Sequence, residues 1–169
     1  MIFHGSPKYK KSYDHAVTKD GMHGGRTVMA PEDYNYTVPF PGGGTVHQFY
    51  YNGLLTIWNG GLRDALFSAK NANPTYELWV TGISMGGALA GMAAPYISQM
   101  GYYPPNQIKM ISFGELRIGY MDFATRYETL VPFAYRVVHR NDAIPHRIPL
   151  DAGYRHHKNE KAYGLETIT

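Results

Sequence analysis

The spacing of hydrophobic residues changes along the chain and predicts helices that alternate with buried strands. Between residues 47 and 69, apolar side chains recur every three or four positions, which is typical of an amphipathic helix that the glycines at 60 and 61 could interrupt. A second helical stretch, 85–100, is apolar on almost every side, so we expect it to be sandwiched. Apolar runs predict strands at 2–4, 76–82, 108–114 and 134–139, and a helix through Phe123 and Tyr127. This alternation is typical of an α/β fold with a mostly parallel sheet and helices on its faces.

Length and composition are those of one globular domain. The 169 residues are 44% hydrophobic and 17% charged, which is enough to bury a core in a single domain spanning 1–169. Because no cysteine is present, disulfides, thiolate metal sites and a cysteine nucleophile are excluded. No apolar run approaches the roughly 18–20 residues of a membrane span, and the first residues lack the apolar core of a signal peptide. We therefore predict no transmembrane segment, and the localisation stays open.

The net charge of +3 is mildly basic and gives little support to a nucleic-acid partner. The tight basic cluster is Lys8, Lys10 and Lys11, with Tyr9 and Tyr13 between and beside the lysines. Such a cluster can form a stacking platform, but a solvated loop is the interpretation that we prefer. We expect no nucleic-acid binding.

Residues 7–44 are rich in glycine and proline and lack a regular hydrophobic period. A segment of this length without predicted structure is unusual inside one domain and is often functional. Its apolar residues stand among glycines, as in a flap that opens at a lipid surface. A linker and a protein–protein contact are the alternatives.

A candidate nucleophile lies where a predicted strand meets a predicted helix. Gly82-Ile83-Ser84-Met85-Gly86 matches the G-x-S-x-G nucleophile elbow. The sharp turn needs glycine two residues before and two after the serine, and it raises the serine hydroxyl above the sheet. It also aims N–H groups of the helix N-terminus at the same point. The alternative is a glycine-rich turn in which Ser84 only caps the helix.

A serine nucleophile needs a general base, and the base needs an acid that orients it. With this elbow, the acid and then the histidine follow the serine along the chain. Asp142 follows the predicted strand 134–139 and is the favoured acid, with Asp151 as a rival. Three histidines come after it, and position alone does not separate the last two: His146, His156 and His157.

Several segments together resemble the class 3 (fungal-type) lipases of the α/β-hydrolase superfamily. Residues 80–90 resemble that family's elbow, 112–119 its next strand, and 135–146 the strand and loop that carry its acid. Phe3-His4-Gly5-Ser6 resembles the strand end whose last residue helps to form the oxyanion hole. Gly153-Tyr154-Arg155-His156, followed by Glu160, resembles the closing histidine motif.

The resemblance implies an α/β-hydrolase fold, shortened at its N-terminus because the chain begins at the oxyanion strand, with 7–44 in the place of the lid. It implies a triad of Ser84, Asp142 and His156, since the family's histidine stands four residues before the glutamate. It also implies an oxyanion hole formed by Ser6 and the backbone of Met85. The expected activity is hydrolysis of carboxylic esters, in particular acylglycerols. The expected partners are a lipid or small ester and, transiently, a lipid interface, and no metal or organic cofactor is needed.

The chain departs from the family pattern at four positions near the expected site: His4, Ile83, Glu115 and Leu116 replace the usual arginine, histidine, glutamine and proline. These departures and the shortened N-terminus leave two alternative functions. One is a catalytically impaired, lipase-like lipid-binding protein. The other is a different serine hydrolase, such as a thioesterase or an amidase.

Overall fold

The computed structural model describes residues 1–3, 34–157 and 159–163. The strands in these ranges are β1 (Ile2–Phe3), β2 (Thr37–Pro39), β3 (Thr45–His47), β4 (Leu78–Ile83), β5 (Ile108–Phe113), β6 (Gly119–Tyr120), β7 (Phe133–His139), β8 (Tyr154–Arg155) and β9 (Glu160–Tyr163). The helices are α1 (Gln48–Ile57), α2 (Arg63–Ala72), α3 (Met85–Gln99) and α4 (Met121–Leu130).

The central sheet is parallel throughout its described strands, in the order β1-β4-β5-β7-β9. Its core strands are in register, so that Val80 lies beside Met110 and Met110 beside Ala134. These side chains are buried, whereas their neighbours along each strand are partly or largely exposed. The predicted strands at 2–4, 76–82, 108–114 and 134–139 are confirmed to within two residues at each end.

Helix α3 covers one face of this sheet. It packs against β1, β4 and β5, and α1 and α4 pack against α3, so α3 lies between the sheet and other helices as predicted. Helices were expected on both faces. In the part of the chain that the structure describes, the opposite face of the strands carries exposed apolar side chains: Trp79 is 51% exposed, Ile83 54% and Phe113 42%.

The long helix predicted from residue 47 is interrupted at its glycine pair. The α1 and α2 helices are separated by a π-helical turn, Trp58–Leu62, in which Gly61 has φ 120°. A side chain rarely adopts that conformation, so the glycine allows the change of direction. Among the described residues, no helix combines the length and apolar character needed to cross a bilayer.

A second, antiparallel sheet joins β2, β3, β6 and β8, and it involves part of the predicted lid. Phe40, which follows β2, is 3% exposed and makes edge contacts with Tyr51, Tyr96 and Phe123, the last with ring centroids 5.0 Å apart. The segment 37–44 is therefore anchored to the body of the protein. Residues 7–33 of the predicted lid lie outside the described residues.

Candidate active site

Ser84 occupies a strained turn between β4 and α3. Its backbone has φ 56° and ψ −125°, and it is one of two non-glycine residues with positive φ in the described ranges. Such a conformation costs about 1–3 kcal/mol and persists only where the surrounding structure enforces it. The Ser84 N–H donates to the carbonyl of Phe113 at 2.8 Å, which fixes the turn against the end of β5. The hydroxyl does not cap α3, so the N-cap alternative is not supported.

The glycine two residues before the serine is required by close backbone approach. A Cβ atom built on Gly82 would lie 2.1 Å from the carbonyl oxygen of Gly86. Helix α3 begins directly after Ser84, with no acidic residue in its first turn. Its first N–H groups have no acceptor within the helix, and its dipole favours negative charge at this end. The turn thus places a hydroxyl beside donors suited to an oxyanion, Met85 N–H first among them.

We expect Gly82→Ala to lower the free energy of unfolding by about 3 kcal/mol or more, because the new methyl group would meet backbone atoms that cannot rotate away. Gly60→Ala is the matched control, since a Cβ there has nothing within 4 Å. It should leave stability unchanged or raise it by a few tenths of a kcal/mol to about 1 kcal/mol. Urea unfolding of the two variants checks the difference. Equal unfolding midpoints would contradict the close approach.

Asp142 lies at the same edge of the sheet as Ser84. It follows β7 in a turn closed by its N–H on the carbonyl of His139 at 2.9 Å, and its Oδ1 accepts from Ile144 N at 2.9 Å. A Cβ built on Gly114, the residue after β5, would be 3.1 Å from Asp142 Oδ2. Since Ser84 N bonds the last residue of β5, the two predicted site residues flank the same strand end. The rival acid, Asp151, is exposed in a short 3-10 turn, Leu150–Ala152.

His156 follows β8 and is held by a backbone contact. Its Nε2 donates to the carbonyl oxygen of Pro145 at 3.0 Å, since a carbonyl can only accept. Burial lowers the pKa of His156 to about 2, and the guanidiniums of Arg136 and Arg117 contribute to the lowering. The ring is therefore neutral at ordinary pH in this geometry. Its proton is on Nε2, and Nδ1 carries the lone pair.

Hydrogen bonds do not join the three predicted triad residues in the described part of the chain. The Asp142 carboxylate accepts from Ile144 N, and the His156 ring donates to Pro145. The structure thus brings Ser84 and Asp142 to one strand end, and it holds His156 by a hydrogen bond to the backbone of the loop that follows Asp142. Ser6, the other predicted oxyanion residue, lies outside the described residues. The triad stays a prediction.

Arg117 is hydrogen-bonded to the loop that follows Asp142. Arg117 is buried, donates through Nη1 to the carbonyl of Ile148, and places Nη2 3.3 Å from His146 Nδ1. Burial and the charges of Arg136 and Arg155 lower the pKa of Arg117. The loop between β7 and β8 is thereby tied to the segment between β5 and β6.

The structure pairs His157, not His156, with a buried carboxylate. His157 Nε2 lies 3.3 Å from Glu115 Oε1, and Glu115 is fully buried and accepts from Ser112 Oγ. The His157 ring stacks on Tyr127 with centroids 4.1 Å apart. This contact was not predicted from the sequence, although the departure from the family pattern at Glu115 was a signal. Metal binding has no evident site here, since the described residues contain no cluster of three His, Asp or Glu side chains suited to an ion.

A strained serine between a parallel strand and a helix, with an aspartate beside the next strand end, is the local arrangement typical of the α/β-hydrolase fold. The family model for class 3 lipases matches residues 8–152, so the chain belongs to the class 3 lipase family.

Relatives and solved structures agree with that assignment. A lipase of Caenorhabditis elegans is 41% identical over 107 residues, which are 63% of this chain and 30% of that protein. A secreted mono- and diacylglycerol lipase of Fusarium solani is 35% identical over 109 residues, 63% of this chain and 32% of that protein. The structure of lipase II from Rhizopus niveus matches with a TM-score of 0.69 and 27% identity, covering 75% of this chain and 49% of that one. This chain spans about a third of the length of those two curated relatives.

Proposed function

We propose that this protein hydrolyses carboxylic esters, with Ser84 as the nucleophile, Asp142 as the triad acid and His156 as the general base. The observation that carries the proposal is the backbone of Ser84, whose φ of 56° stores strain at the point where a strand turns into a helix. Strain of this kind is concentrated at functional sites. A serine that merely capped the helix would not need it.

Helix α3 supports the proposed chemistry by stabilising negative charge. Attack of Ser84 Oγ on an ester carbonyl moves charge onto the carbonyl oxygen, and the Met85 N–H at the start of α3 is the proposed donor to it. Ser6 is the second proposed donor. Loss of one such donor typically costs about 10²–10³ in rate. Expulsion of the alcohol then leaves an acyl-enzyme, which water hydrolyses.

To act as the general base, His156 needs a pKa not far below neutral pH. Burial and the charge of Arg136 lower the pKa of His156 to about 2, although the hydrogen bond to the Pro145 carbonyl raises it, and a pKa near 2 is too low for a base that must accept a proton near neutral pH. The proposed catalytic arrangement therefore has the ring released from Pro145 and placed against Asp142. A neighbouring carboxylate would raise the pKa of the imidazole back toward its ordinary range.

Acylglycerols are the substrate class that we propose. The Fusarium relative is named a mono- and diacylglycerol lipase, and the family is that of class 3 lipases. We also propose transient contact with a lipid interface during turnover.

A fluorophosphonate probe tests the proposal directly, because it labels only a serine that is activated in the folded protein. We expect labelling at Ser84 and turnover of long-chain acylglycerol esters in a chain-length series. No labelling of the folded protein would favour the lipid-binding alternative. One observation favours that alternative: Asp142 and His156 are hydrogen-bonded to backbone groups and not to each other. Turnover of thioesters or amides in preference to oxygen esters would favour the other hydrolases.

Replacement of the acid has a predicted outcome as well. Asp142→Asn should lower kcat by about 10⁴, as expected when the histidine loses the carboxylate that orients it. The amide oxygen can still accept from Ile144 N, so the fold should be unchanged. Asp151→Asn, at the exposed rival position, should keep kcat within about twofold of the wild type. If the two variants exchanged these outcomes, Asp151 would be the acid.

A further inference from the structure

The buried contact between Glu115 and His157 lies beside the proposed site without belonging to it. Glu115 is fully buried, and His157 is 3% exposed. The carboxylate fits only because α3 has a glycine opposite it: a Cβ on Gly91 would lie 2.5 Å from Glu115 Oε1. Close approach of a helix backbone to a buried carboxylate indicates a tightly defined position.

A buried pair of this kind adds little to the stability of the fold, and its main effect is to fix the positions of the residues that form it. Removing a carboxylate from water costs several kcal/mol, and a buried pair seldom returns more than it costs. The Glu115 carboxylate is partly compensated by Ser112 Oγ and by His157 Nε2, which lies 3.3 and 3.4 Å from its two oxygens. What the pair supplies is a fixed distance between two segments of the chain.

Those two segments are the ones that adjoin the proposed acid and base. Glu115 follows Gly114, where an added Cβ would lie 3.1 Å from Asp142 Oδ2, and His157 follows His156. The carbonyl of His157 also accepts from Arg136 Nε of β7 at 3.1 Å. The residue after His156 is thus held at its ring by Glu115 and at its backbone by β7.

We propose that Glu115 is a positioning residue, which acts through His157 to set where His156 and the Asp142 loop stand relative to Ser84. The inference rests on the proposed ester hydrolysis and adds to it a residue that never contacts substrate. It follows that disturbing the pair affects turnover more than substrate binding. Displacement of reacting groups by about 1 Å can cost about 10²-fold in rate.

Kinetics of Glu115→Met test this role, because methionine is close to glutamate in size but has no oxygen to accept from Ser112 Oγ or to pair with His157 Nε2. We expect kcat to fall by about 10- to 100-fold with KM within about twofold, at a temperature well below the unfolding midpoint of the variant. His157→Gln should give a similar loss. The double variant should be no worse than the poorer single variant, because both act through one contact.

Glu115→Gln, which keeps an acceptor oxygen and installs the glutamine usual in the family, should keep kcat within about threefold of the wild type. Glu77→Gln is the control, since Glu77 lies before β4 at the opposite end of the strands and pairs with Lys109 at 3.6 Å.

The outcomes separate this inference from the proposed function. A wild-type protein that neither binds the fluorophosphonate probe nor turns over esters would overturn the hydrolysis and the positioning role together. An active wild type with an unchanged kcat in Glu115→Met would overturn the positioning role alone, even if the unfolding temperature fell. Additive losses in the double variant would also overturn it, because they would show two independent effects.

Discussion

Ser84→Ala should abolish ester hydrolysis, with kcat lower by about 10⁶ and no labelling by the fluorophosphonate probe. The hydroxyl oxygen is the atom that forms the acyl-enzyme, and alanine offers no substitute. The fold should not change, because the Ser84 side chain makes no cap hydrogen bond and alanine accepts the strained backbone about as well as serine does. Hydrolysis of a chromogenic ester and mass spectrometry of the labelled protein measure the two losses.

Ser68→Ala is the matched control for this variant, because Ser68 is exposed on α2 and lies outside the elbow. It should hydrolyse esters at the wild-type rate. Residual hydrolysis in Ser84→Ala at more than about a thousandth of the wild-type rate would contradict the nucleophile assignment, because the oxyanion donors and binding alone do not supply so much. A Ser84→Ala protein that unfolds at a much lower temperature would show that the hydroxyl has a structural role.

The elbow was predictable because its requirements are local. The G-x-S-x-G spacing follows from one steric fact, the approach of Gly82 to the backbone of Gly86, and the strand before it and the helix after it have clear hydrophobic patterns. The position of Asp142 was predictable for a related reason. Parallel strands end at one edge of a sheet, so a carboxylate after β7 comes near a serine after β4.

Other features depend on contacts that no local pattern specifies. The strands of the antiparallel sheet are two or three residues long, which is too short for an alternation to be recognised. The burial of Phe40 against Phe123 depends on residues far apart in sequence. For that reason a segment predicted as a lid ends in a strand and turn that pack on the body.

The neighbouring histidines show a different limit. His156 and His157 point in different directions, one toward the carbonyl of Pro145 and the other toward Glu115. Adjacent residues in an extended segment face opposite sides, so the partner of each depends on which side faces the sheet. The departure from the family pattern at Glu115 marked the position but did not indicate burial, because a carboxylate is expected at the surface unless a partner is known.

Replacing His156 should be as damaging to turnover as replacing Ser84, with kcat lower by about 10⁶ in both His156→Ala and His156→Gln. The two variants differ in the contact with Pro145. A glutamine amide can still donate to the Pro145 carbonyl, whereas alanine has no donor and the carbonyl loses this hydrogen bond. We therefore expect His156→Gln to keep stability that His156→Ala loses, about 0.5–1.5 kcal/mol for the hydrogen bond, as measured by urea unfolding.

The pH dependence gives an independent check on the same residue. The pKa of His156 is about 2 in the folded protein and 6.5 in the unfolded chain. Between these two values the unfolded chain binds more protons at His156 than the folded protein does. Protonation therefore favours unfolding, and the His156 contribution to stability declines as the pH falls below 6.5. Catalysis requires a higher pKa than this, because the His156 ring must accept a proton from Ser84. We expect the carboxylate of Asp142 to raise the pKa when the ring lies beside it. We expect kcat to fall below about pH 6.5 as the base becomes protonated in the substrate complex, where the ring faces Asp142. A profile that stays flat to pH 4, or a His156→Gln variant that retains turnover, would mean that His156 holds the Asp142 loop through Pro145 and that the base is another group.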